Sequence, residues 1–259
     1  MCHDTCPHPV SGGASLQEQD LTLPLDEGES LPLFLVLPEQ TPAPAVLILH
    51  DINGANDFYK DLARRLAAEG YIAALPDLFF RQGPPRDTSR EAIRERGAEL
   101  VQTQTFGDIA ASLRWLRDHG GATGKLGTIG FCMGGSLVML ATCREPIPDA
   151  SVTYYGFPVR QRTPNNAVLA LDEDEVANVA SPLLGFWGDQ DRGVGMDNVA
   201  AYDDKLNTYH KPHEFVIYPG LGHGFLTFDP NAPAFADSQA SWERTLGFLG
   251  EHLGAAHAS

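Results

Sequence analysis

The sequence predicts an α/β domain with a mostly parallel central sheet and helices on both faces. Three observations predict it. Short apolar runs alternate with longer segments of helical period along most of the chain, the pattern of repeated βαβ units. The run Ala45-Val46-Leu47-Ile48-Leu49-His50 is continuously apolar up to its last residue, as a strand buried on both faces of a parallel sheet should be. The residues suited to chemistry fall at or just after the ends of the apolar runs, where open α/β sheets collect their ligands. They are His50-Asp51-Ile52, Pro76-Asp77, Cys132, Tyr155-Gly156, Gly188 to Asp191 and Pro219 to His223.

Taken in order, residues 1–20 read as a polar tail and 21–259 as one domain. Leu21 to Leu25 and Leu31 to Leu37 are two early strands joined by the turn Asp26 to Glu29. After the strand ending at His50, residues Asp57 to Glu69 form a helix with Phe58, Leu62 and Leu66 on one face, stopped by Gly70. Tyr71 to Leu75 is a strand and Pro76 to Thr88 a loop rich in proline and arginine. Ser89 to Gln102 and Phe106 to His119 read as helices, with Arg90, Arg94 and Arg96 among glutamates as a plain surface. Lys125 to Gly130 is a strand and Met133 to Cys143 a helix. Ser151 to Tyr155 and Leu183 to Trp187 are strands, separated by a surface excursion from Arg162 to Ser181. Met196 to Asn207 is a helix, Glu214 to Tyr218 a strand, and Ser238 to His252 a closing amphipathic helix.

The length of 259 residues suits one large α/β domain. A formal charge of −16 argues against nucleic acid or an anionic membrane as a partner, because both require a basic face. No apolar run approaches the roughly 20 residues of a spanning helix, and the first residues have neither basic nor apolar character. The expectation is a cytoplasmic protein that needs no cofactor, with its oligomeric state left open. Four cysteines are too few for a disulfide framework. Cys143 lies in an apolar helix and reads as a small hydrophobe. Cys2, His3, Cys6 and His8 match no zinc spacing, so no metal site is assigned.

The segment Gly130-Phe131-Cys132-Met133-Gly134 has the G-x-C-x-G form of a nucleophile elbow between a strand and a helix. Glycines two residues either side leave room for the flanking chain. The helix starting at Met133 aims its free amides and dipole at the sulfur, which favours a thiolate. Alone, this is an even choice between a nucleophile and a buried apolar cysteine. The downstream order tips it, because nucleophile, acid and base follow one another in this kind of sheet. Gly188-Asp189-Gln190-Asp191 ends one strand. Later, His223 stands between Gly222 and Gly224 after another strand, where glycines allow close approach to the nucleophile. His50, His119, His210 and His213 lack such a setting.

With these motifs the chain resembles the dienelactone hydrolase family, from about Ala43 to His252. The likeness is strongest at Gly130 to Gly135, Trp187 to Asp191 and Gly222-His223-Gly224-Phe225. Pro76 to Gln82 and Tyr154-Tyr155-Gly156 match as well. The resemblance implies an α/β-hydrolase fold and hydrolysis of a small-molecule ester or lactone. It also implies a triad of Cys132, His223 and Asp191, with Asp191 preferred over Asp189, and a covalent thioester intermediate. Asp51 stands where the family holds a glutamate against the resting thiol. Ile52 and Met133 would supply the oxyanion-hole amides. Arg81 and Tyr155 are the implied substrate-binding residues. A second arginine expected shortly after the histidine is absent, because Leu226 and Thr227 occupy that stretch. The competing reading is a non-catalytic or redox-sensing module built around a reactive Cys132.

Overall fold

The computed structural model describes residues 3, 9, 16–163, 166–169 and 172–254. Strands β1 (Gln17–Pro24) and β2 (Ser30–Leu37) form an antiparallel ribbon at one edge. There follow β3 (Ala43–Leu49), α1 (Asp57–Ala68), β4 (Ile72–Pro76), α2 (Arg90–Ala98), α3 (Gln102–Arg117), β5 (Ala122–Phe131), α4 (Met133–Arg144) and β6 (Ala150–Tyr154). A small hairpin of β7 (Val159–Thr163) and β8 (Asn166–Leu169) leads to the short α5 (Glu173–Ala177). The chain closes with β9 (Leu183–Gly188), α6 (Met196–Thr208), β10 (His213–Tyr218) and α7 (Phe235–Leu253). The main sheet has eight strands in the order β1-β2-β4-β3-β5-β6-β9-β10. From β4 to β10 every pairing is parallel.

Strand β3 is buried along its whole length, which is why its sequence is continuously apolar. Successive strand side chains point to opposite faces, and β5 shows both faces covered. A methyl group on Gly127 would meet Leu249 and Leu253 of α7, whereas one on Gly130 would meet Val138 of α4. The α/β fold with a mostly parallel sheet is therefore the observed one.

Several boundaries differ from the sequence reading. Strand β1 begins at Gln17, inside the stretch assigned to the tail, because Gln17 to Asp20 pair with Leu37 to Phe34 of β2. Helix α3 begins at Gln102, its entry set by Val101 in extended backbone, and α7 begins at Phe235. The expected excursion from Arg162 to Ser181 contains β8, α5 and part of β7. The hairpin had no period-2 signal strong enough to be read as strand.

Candidate active site

The sheet's carboxyl edge assembles the site. Cys132 lies between β5 and α4 with φ 54° and ψ −110°, an unfavourable left-handed backbone for a side chain other than glycine. Tight packing holds it there. A Cβ on Gly130 would lie 2.3 Å from the Gly134 carbonyl oxygen, and one on Gly134 only 1.9 Å from the Leu49 oxygen. The Cys132 amide donates to the Tyr154 carbonyl at 3.0 Å, and Ser136 donates from its hydroxyl to the Cys132 carbonyl at 3.2 Å. The cysteine is buried, and the first turn of α4 starts directly after it.

His223 and Asp191 come from the loops after β10 and β9. His223 Nδ1 lies 2.6 Å from Asp191 Oδ2. The other carboxylate oxygen of Asp191 accepts the amides of Gly193 at 3.1 Å and Val194 at 3.2 Å. The carboxylate is buried, and His223 keeps 22% side-chain exposure. Asp189 points elsewhere: its Oδ1 accepts the Gly220 amide at 2.7 Å. A Cβ on Gly188 would lie 2.2 Å from the Leu221 oxygen, so this glycine lets the loops after β9 and β10 touch. The glycines around His223 work differently from the close approach expected of them. Gly222 has open space beside it, and Gly224 is required for its φ of 72°.

Asp51 follows β3 and is fully buried. Its Oδ1 accepts the Asn53 amide at 2.7 Å and its Oδ2 the amide of His3 at 2.9 Å. The buried His50 braces this turn. Its Nε2 accepts the Leu78 amide at 3.0 Å, so Nδ1 carries the proton and donates to the Asp51 carbonyl at 2.7 Å. Burial lowers the His50 pKa, keeping the ring neutral. Arg96 braces the next residue, donating from Nη2 to the Ile52 carbonyl at 2.8 Å with its guanidinium 4.0 Å from the Phe79 ring. It is 8% exposed, so it belongs to the interior and not to the plain surface expected of it. Helical spacing alone could not show that α2 turns this one arginine inward.

Tyr155 has φ 41° and stacks edge-on against His223 at 5.0 Å. Its hydroxyl is 2.5 Å from Nε2 of His3. His3 also lies here, a residue that no motif or spacing points to. Its ring lies flat on Phe58 at 3.8 Å, and its carbonyl accepts the side-chain amides of Asn53 at 2.9 Å and Asn56 at 2.6 Å. Tyr59 is buried next to this group, and burial with the Asp51 charge raises its pKa well above the usual range. Cys2, Cys6 and His8 lie outside the described residues. Among the described residues no cluster of three potential metal ligands occurs, and no helix is long and apolar enough to cross a membrane.

The Dienelactone hydrolase family matches this chain over residues 31–253. The chain belongs to that family. Among relatives, a putative carboxymethylenebutenolidase of Yersinia pestis is 30% identical over 241 residues, covering 90% of this chain and 88% of the relative. A probable 2-oxo-3-(5-oxofuran-2-ylidene)propanoate lactonase of Bradyrhizobium sp. is 33% identical over 229 residues, covering 87% and 91%. The crystal structure of a putative dienelactone hydrolase from Klebsiella pneumoniae superposes with a TM-score of 0.82 at 26% identity, covering 92% of this chain and 99% of that one. The chain is thus a lactone or ester hydrolase of the dienelactone hydrolase type.

In this dienelactone hydrolase family member, Arg81 sits in the loop after β4 between two carboxylates. Nη1 and Nη2 donate to Asp108 at 2.6 and 3.0 Å, and Nε donates to Glu29 at 2.8 Å. Asp108 is buried on α3, and burial raises its pKa against the opposing pull of the guanidinium.

Proposed function

We propose that Cys132 attacks the carbonyl of a small neutral ester or lactone, with His223 as base, Asp191 as its orienting acid, and a thioester on Cys132 as intermediate. The observation that carries this reading is the 2.6 Å Asp191–His223 hydrogen bond, taken together with a cysteine held in elbow geometry at a helix N-terminus on the same carboxyl edge of the sheet. Asp191 fixes the proton on Nδ1 and leaves Nε2 as the basic nitrogen. His223 Nε2 takes the thiol proton, and the thiolate sulfur bonds to the carbonyl carbon. The resulting oxyanion is held by the amides of Ile52 and Met133, each worth about 3–4 kcal/mol in such a role. Collapse breaks the carbon–oxygen bond to the leaving group, and His223 returns the proton to that oxygen. In a lactone the leaving oxygen stays tethered to the acyl chain. His223 then takes a proton from water, hydroxide adds to the thioester, and the thiolate departs with regeneration of the resting pair. Asp51, at the position of the family's glutamate, assists removal of the thiol proton when substrate displaces its carboxylate from the Asn53 and His3 amides.

A neutral substrate is favoured by the state of Arg81. Its donors already face Asp108 and Glu29, and a substrate carboxylate would have to displace one of them. The second arginine position holds Leu226 and Thr227.

The test is turnover of p-nitrophenyl acetate and of paired neutral and carboxylated lactones. Cys132→Ala and His223→Ala are each expected to lower kcat by about 10⁴-fold or more. Wild type quenched in acid during turnover should carry an acyl adduct on Cys132 visible by mass spectrometry, which His223→Ala should not form on the same timescale. Wild-type turnover surviving both substitutions would sink the triad.

A further inference from the structure

We infer that His3, from the N-terminal segment, is a specificity-determining wall of the active-site pocket, which closes it to bulky acyl or alcohol groups. This inference rests on the reading of Cys132 as the nucleophile in that pocket.

Three independent contacts build the position of His3. Its main chain is held at both ends. The amide donates to the buried Asp51 carboxylate, and the carbonyl accepts from the carboxamides of Asn53 and Asn56. Its ring is held on one face by Phe58, with centroids 3.8 Å apart and planes 5° from parallel. Its ring edge is held by the Tyr155 hydroxyl at 2.5 Å. A passing tail contact would satisfy one of these, whereas here the side chain and both main-chain groups are fixed.

The place so filled is next to the chemistry. His3 lies 6.2 Å from the ring of Phe131, the residue before Cys132, and 6.1 Å from the ring of Tyr155, which packs on His223. Burial above all, with a contribution from the His223 charge, lowers the His3 pKa to about 3, so the wall is uncharged at neutral pH. The side of the pocket formed by His3 therefore presents an uncharged imidazole among the rings of Phe58, Phe131 and Tyr155. This matches a small neutral substrate, because the His3 ring covers the face of Phe58 that a larger group would otherwise reach.

Two variants test it. His3→Ala removes the ring. Asn56→Asp keeps the oxygen that accepts the Phe58 amide at the start of α1 but replaces the donor to the His3 carbonyl with a negative oxygen. With aryl-acetyl and acetyl esters of one alcohol, both variants should raise the kcat/KM ratio of bulky to small ester by about tenfold, mainly through KM. A readout independent of turnover is alkylation of Cys132 by iodoacetamide and by an N-benzyl iodoacetamide, localised by mass spectrometry. Both variants should accelerate the bulky reagent selectively. If no protein, wild type included, hydrolyses any ester but the alkylation selectivity shifts in both variants, the hydrolytic reading fails and the wall stands. An equal acceleration of all substrates and both reagents would instead make the segment a plug, and overturn the proposal. Unchanged selectivity in both variants, or no labelling of Cys132 in any protein, would overturn it too.

Discussion

A carbonyl oxygen 1.9 Å from where a side chain would begin decides the identity of residue 134. That contact, with the 2.3 Å one at Gly130, converts two letters of a motif into a packing requirement: β3, β5 and α4 meet at the elbow only without side chains there. The same reasoning gives Asp191 a role that Asp189 cannot fill. Two backbone amides pin Oδ1 of Asp191 as an acceptor, which leaves the other oxygen for His223. In Asp191→Asn those amides would hold the new oxygen in the same place and turn the NH₂ toward His223 Nδ1. The imidazole would then carry its proton on Nε2, where it cannot accept one from the thiol. We expect kcat to fall by about 10³–10⁴-fold with the fold intact. Steady-state kinetics beside a thermal melt checks this, and a melting temperature lowered together with activity would point to a structural role instead.

Between elements, the arginine that a family resemblance offers as a substrate ligand works as a tie. Arg81 joins the loop after β4 to α3 through Asp108 and to the start of β2 through Glu29. Asp108 has 3% side-chain exposure, so removing its partner strands a buried carboxylate. Arg81→Ala should cost about 3 kcal/mol, less at low pH where Asp108 protonates, and lower the melting temperature by roughly 6–12 °C. Arg81→Ala/Asp108→Asn should recover most of that loss. Calorimetry on both decides it, and a preference for carboxylated lactones lost with Arg81 would reverse the assignment. This element level is where sequence reading was strongest and also where it stopped. The apolar run at β3, the Gly-rich turn at Cys132 and the ordered Asp and His after β9 and β10 are local patterns, so they were legible. Arg81 and Arg96 were not, because what an arginine faces is set by partners far away in sequence: Asp108 lies 27 residues on from Arg81, and the Ile52 carbonyl 44 residues before Arg96. Nor was β1's full length, which exists because β2 pairs with it.

At the scale of the whole molecule, the His3 amide meets a turn 48 positions away, a distance no periodicity reports. His3 reads in sequence as one member of a Cys/His-rich tail. In the fold its ring is committed to Phe58 and Tyr155. The docked position has a consequence for pH. A free histidine titrates near 6.5, and the docked ring is lowered to about 3. The base is thus weaker when docked, so protonation favours release. Docking is fully favourable above pH 6.5 and is progressively lost as pH falls from 6.5 toward 3. The groups around the ring are the Tyr59 ring, the Tyr155 hydroxyl and His223, the charged amino terminus also acts on it, and Asp51 holds its main chain. Between pH 7.5 and 5.5 the docking constant should drop by about tenfold, the ratio of protonated to neutral free histidine at the lower pH. Nuclear magnetic resonance of labelled histidine rings measures this directly, with the His3 signal assigned by its absence in His3→Ala. In the wild type it should titrate well below 6.5, and in Asn56→Asp it should move back toward 6.5 as docking weakens. A His3 ring that titrates at 6.5 in the wild type would show that it does not line the pocket in solution.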